Sequence, residues 1–155
     1  MSGRCGTQSG GVGRRGVLVG IPAALAVLAG CGGEQKQADS RIITAAIDGP
    51  RTSITASALI VQVVQKDGIL VLADRQGAVA NPPVLALFSK GSTVVEDSAG
   101  TVTGVKLDGT HTIPLGRTGE FGHATIKADR WKDFTGAAAA AKKFGATEGT
   151  WLLGT

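Results

Sequence analysis

The chain has 155 residues and a formal net charge of +4. Arg4, Arg14 and Arg15 carry all the charge of residues 1–30, so from residue 31 onward 13 Lys and Arg stand against 12 Asp and Glu. A nearly neutral body excludes nucleic-acid binding driven by counterion release, and two cysteines, Cys5 and Cys31, exclude a multi-disulfide framework or a four-Cys zinc site.

Residues 1–16 are Gly-rich, polar and basic, and 17–28 form an apolar run broken by Gly20 and Pro22. Small residues Ala29 and Gly30 precede Cys31. A basic start, a short apolar stretch and small residues at its end describe a secretory signal peptide. Twelve residues as a helix reach about 18 Å, well short of the roughly 30 Å hydrocarbon core, so this run is no lasting membrane span. The tetrapeptide Leu28-Ala29-Gly30-Cys31 resembles the lipobox of bacterial lipoproteins. The resemblance covers residues 1–31. It implies cleavage before Cys31, a diacylglyceryl thioether on its sulfur, and anchoring to the outer face of the cell membrane. Two acyl chains supply the two signals that stable anchoring needs. A lipidated Cys31 leaves no free thiol in the mature chain, which excludes Cys nucleophiles, thiolate metal sites and thiol redox chemistry there.

Arg14 and Arg15, followed by Gly16-Val17-Leu18, resemble a twin-arginine export motif. Gly13 stands where that motif usually has Ser or Thr, and an ordinary basic region of the general secretory route is the other reading. Residues 11–16 also match G-x-G-x-x-G letter by letter, but neither a strand nor a βαβ unit frames them, and the leader is removed. Residues 32–40 (GGEQKQADS) contain no core-forming side chain and read as a flexible tether reaching about 30 Å. The expected organisation is a signal peptide at 1–30, a lipidated Cys and tether at 31–40, and one globular domain at 41–155.

The domain reads as mainly β. Residues 42–47 are the first strand candidate, ahead of Pro50. Residues 54–65 are rich in β-branched side chains, and 69–73 follow directly after Lys66-Asp67-Gly68, a break with hairpin chemistry. Asn81-Pro82-Pro83 blocks helix and central strand alike. Residues 84–88 form the next strand. Residues 93–96 and 101–107 flank the turn Asp97-Ser98-Ala99-Gly100, and Asp108-Gly109 leads into 110–114. Residues 121–127 give a last long strand. Turns every 8 to 12 residues predict a small antiparallel sandwich or barrel. Residues 129–144 differ: Trp131, Phe134, Ala138 and Ala141 fall at helical spacing, with Gly136 able to split the segment and Gly145 to end it. One C-terminal α-helix follows, or an α+β arrangement in which that helix covers the sheet. Residues 151–153 read as a short edge strand.

Chemistry-bearing residues are few. His111 and His123 lie twelve apart on strand candidates, with Asp108 and Glu120 three residues before each, a weak pattern for a metal site or a small hydrolase. G-x-S-x-G and S-x-x-K are absent, which removes the common serine-hydrolase signatures. Residues 115–123 (LGRTGEFGH) concentrate Arg117, Glu120 and His123 among three glycines and form the candidate functional loop. No cofactor is implied. The sequence favours a non-enzymatic envelope lipoprotein that binds a partner protein or ligand. Alternatives are a carrier of an apolar ligand or lipid in a cavity between sheet and helix, and an enzyme built on the two histidines.

Overall fold

A computed structural model describes residues 39–46, 48, 54–107 and 111–154. The leader residues Arg14, Arg15, Leu28, Ala29, Gly30 and Cys31 lie outside that range, as does most of the tether. Among the described residues, ten strands run in the order β1 (Ile43–Ala45), β2 (Thr55–Lys66), β3 (Ile69–Ala73), β4 (Leu85–Phe88), β5 (Thr93–Glu96), β6 (Val102–Leu107), β7 (His111–Pro114), β8 (Thr118–Lys127), β9 (Phe134–Thr135) and β10 (Glu148–Leu153). A 3-10 helix (Ala128–Asp133) precedes β9, and one α-helix, α1 (Ala137–Phe144), precedes β10.

Five strands close a barrel. β2 pairs antiparallel with β3, β3 with β4, and β8 with both β2 and β10, while β4 and β10 close the ring in parallel. This is the Greek-key closure of OB-type barrels. Strands β5, β6 and β7 form a separate three-stranded meander. The β2–β3 hairpin turns through Asp67 (φ 48°) and Gly68 (φ 83°), two consecutive left-handed residues, the geometry that matches strand twist and favours Asp-Gly. At the β5–β6 turn, Asp97 Oδ1 accepts from the amides of Ala99 and Thr101, both at 2.9 Å.

Alternation along the strands separates two apolar rows. Val63, Leu70, Leu72, Ala86, Phe88, Phe121 and Leu152 bury together, and every barrel strand contributes, so this row fills the lumen. Val105, Leu107 and Ile113 of the meander join the same cluster. The meander therefore stoppers the end of the barrel where β4 finishes and β8 begins. The opposite row, with Val71, Leu85, Leu87, Ala124, Ile126 and Trp151, packs outside the barrel against Ile43, Trp131, Phe134 and the alanines of α1.

Several expectations change. The segment 129–144 is not one helix. Its first part is 3-10, Phe134 and Thr135 pair as a strand with β1, and Gly136 at φ 87° opens α1. α1 turns Ala137, Ala140 and Ala141 inward and leaves Ala138 exposed. Gly145 (φ 67°) ends it, with its amide on the Ala141 carbonyl. Residues 151–153 are not an edge: β10 starts at Glu148 and is held on both sides by β4 and β8. Most of 115–123 is not loop, because β8 begins at Thr118. The first strand shrinks to Ile43–Ala45.

Asp39, expected in the tether, belongs to the fold. Its carboxylate accepts from the Arg41 backbone amide at 2.9 Å and from the Arg41 guanidinium at 2.9 and 2.6 Å. Arg41 also donates to Glu96 at the end of β5, so the guanidinium ties the segment ahead of β1 to the meander. The Arg41 side chain holds the Asp39 carboxyl below its ordinary pKa. In turn Asp39, and then Glu96, raise that of Arg41. A carboxylate depressed in the fold stabilises it above its unfolded pKa of roughly 4, and that contribution disappears as pH falls through the lower folded value. Asp39→Ala is therefore expected to lower the urea midpoint slightly at neutral pH, with the difference starting to shrink near about pH 4 and fading further as the pH falls through the lower folded value. Urea melts of both chains across pH check it, and a difference that grows in acid would contradict it.

Candidate functional site

At the end of the barrel opposite the meander lies a groove of about 410 Å³. Leu59 and Val61 of β2, Leu72 of β3, and Val79 and Val84 from the following connection make its walls. Asp74, Glu148 and Thr150 are its polar members. The volume falls within the roughly 300–1,000 Å³ of small-ligand sites.

Local chemistry fixes one wall. Asp74 Oδ1 accepts from the amides of Gln76 at 2.8 Å and Ala78 at 2.9 Å, and the Asp74 amide donates to the Ala78 carbonyl at 2.9 Å. Gly77 takes the left-handed φ of 85° this turn requires. Gln62 Nε2 donates to the Arg75 carbonyl at 2.9 Å, tying the turn to β2. An open concavity with apolar walls is the informative kind of surface, since most exposed apolar residues are scattered singly.

A second cleft of about 600 Å³ lies between β1 and β5. Asp39, Thr44, Lys90, Thr93 and Thr135 make it polar, and the Ser92 hydroxyl is buried there without a hydrogen-bond partner. Lys90 pairs at 3.4 Å with Asp48. A third, of about 160 Å³, gathers His111 of β7, Arg117 of the following turn and Glu120 of β8. All three of these residues are exposed.

His123 is not with them. It sits farther along β8, opposite Leu152 of β10 and Thr55 of β2, and its Nδ1 is buried without a partner. His111 belongs to the meander and His123 to the barrel, so their strands do not pair. Among the described residues, no group of three or more His, Cys, Asp or Glu gathers in a way that would hold a metal. The glycines of 115–123 also serve packing. A Cβ on Gly119 would collide with the Phe121 ring, and one on Gly122 would touch Leu153 Cβ at 3.5 Å. The close approach at Gly119 is made by the protein's own side chain.

Ala137, Ala140 and Ala141 of α1 pack into the outer cluster, and α1 lines none of the three clefts. Sequence reasoning missed the groove because Leu59, Val61 and Leu72 read simply as strand core. The available signal was residues 54–61 (ITASALIV), which carry neither charge nor proline. No family model matches the chain, and no curated protein or solved structure matches it either.

Proposed function

We propose that this chain is an exported lipoprotein, held to the outer face of the cell membrane by lipid on Cys31, and that the open end of its barrel is a binding site for an apolar group. The anchor rests on Leu28-Ala29-Gly30-Cys31 after a short apolar run. The single observation that carries the binding reading is the groove itself. Its apolar walls stand open where the rest of the lumen is filled and stoppered. The reaction chemistry an enzyme would need is thin here, since Asp74 Oδ1 holds its turn and, among the described residues, no histidine lines the groove. A role as binding module, on a domain carried at the membrane surface, fits these features better than catalysis does.

Val61→Glu tests it. Val61 is half-buried in the groove wall and packs against the outer end of the lumen cluster, so a carboxylate there interrupts the apolar surface. The purified full-length chain is expected to bind the neutral apolar dye Nile red, and Val61→Glu to weaken binding about tenfold or more. His111→Ala, in the third cleft, is expected to leave it unchanged. Equal dye binding by wild type and Val61→Glu would remove the groove as the site.

A further inference from the structure

β2 outruns its partner. Its pairing with β3 covers Gln62–Lys66 and stops at Gln62 opposite Ala73, while its pairing with β8 continues back to Thr55. Among the described residues, no strand pairs with residues 55–61 on the side away from β8. That side faces the groove, with Leu59 and Val61 in its wall. Free strand edges are normally guarded by Lys, Pro or inward charge, because their bare amides and carbonyls recruit other chains. From Ile54 to Val61 this edge has no charged residue and no proline, and a bulge between Thr55 and Leu59 is its one irregularity. Two large apolar side chains are exposed along it, Ile54 at 62% and Ile60 at 37%. The groove beside it has two carboxylates, Asp74 and Glu148, and, among the described residues, no cation in its lining.

We infer that the open end of the barrel takes an extended segment of a partner polypeptide, added as a strand along residues 59–61 in line with β3. The segment is apolar at alternate positions and carries a Lys or Arg beside Asp74 or Glu148. This rests on the groove reading above and names its occupant. A bare strand edge calls for an extended backbone, since only that satisfies its row of donors and acceptors, and apolar walls select alternate side chains. The carboxylates decide between partners. A second copy pairing through its own residues 54–61 has no positive charge within that stretch to set against them, whereas a cation-bearing segment has.

The test uses the full-length chain and a labelled peptide, Lys-Val-Thr-Val-Thr-Val-Lys, with two controls. One control is N-methylated at alternate amides and the other has Glu at both ends. Fluorescence anisotropy reads binding, and amide hydrogen exchange reads the protection of residues 59–61. The Lys peptide is expected to bind and to slow exchange at 59–61 at least tenfold. Both controls are expected to bind about tenfold more weakly or worse, as lost backbone hydrogen bonds and a reversed charge require. Equal binding of the N-methylated peptide, with exchange unchanged, would overturn strand addition and leave an apolar groove. Nile red bound without any peptide binding would do the same. Loss of both dye and peptide would overturn the groove reading itself. A dimer whose 59–61 amides are already protected without peptide would show that a second copy holds the edge, and would overturn the proposal.

Discussion

Trp131→Ala is expected to destabilise the domain by about 3–5 kcal/mol, a large part of the roughly 5–15 kcal/mol that holds such a domain together. Trp131 is only 9% exposed and lies in the outer cluster with Phe134, Ile43 and the inward alanines of α1. Those alanines are small, so α1 sits close and cannot swing in to fill the space a missing indole leaves. Trp131 is the one buried residue of the 3-10 helix. Its neighbour Lys132 is exposed, and Lys132→Ala is expected to change stability by less than about 0.5 kcal/mol. Chemical denaturation of both variants measures the contrast. Unchanged stability in Trp131→Ala would show that the 3-10 segment does not anchor the outer layer.

Phe88→Ala is expected to cost a similar amount, about 3–5 kcal/mol, by a separate route. Phe88 is the largest fully buried side chain and lies in the lumen, near the end stoppered by Val105, Leu107 and Ile113. Truncation there opens a void between barrel and meander and loosens the contact between the two sheets. Phe88 and Trp131 belong to different clusters, so their costs should add within about 0.5 kcal/mol wherever the double variant still folds. Urea denaturation with added osmolyte measures all three. A strongly sub-additive double variant would show that the two rows form one core, against the lumen and outer layer described above.

Local chemistry made much of the fold legible. Asp67-Gly68 and Asp97 to Gly100 announced their hairpins because two left-handed residues, or an Asp side chain bonding two amides, determine a turn within a few residues. What local chemistry could not carry was pairing at a distance. β10 looked like an edge because its partners, β4 and β8, lie far back in the sequence. The spacing of three between Trp131 and Phe134 suits a 3-10 turn as well as an α-helix, and only pairing with β1 makes Phe134 and Thr135 a strand.

The candidate site was less legible. Three glycines in 115–123 suggested room for a ligand, yet a Phe121 ring over Gly119 fills that room. His111, Arg117 and Glu120 do come together, but as an exposed cleft away from His123. The groove depends on where β3 stops relative to β2, and register of that kind is set by the whole barrel.

The proposed anchor would hold this barrel at a membrane through one atom, the Cys31 sulfur. The mass of the mature N-terminal peptide, taken from chain recovered in the membrane fraction, tests that most directly. The expected result is an N-terminus at Cys31 carrying a diacylglyceryl group, and release of Cys31→Ala from the membrane fraction. A mature N-terminus at another residue, or an unmodified Cys31 in a soluble chain, would contradict it.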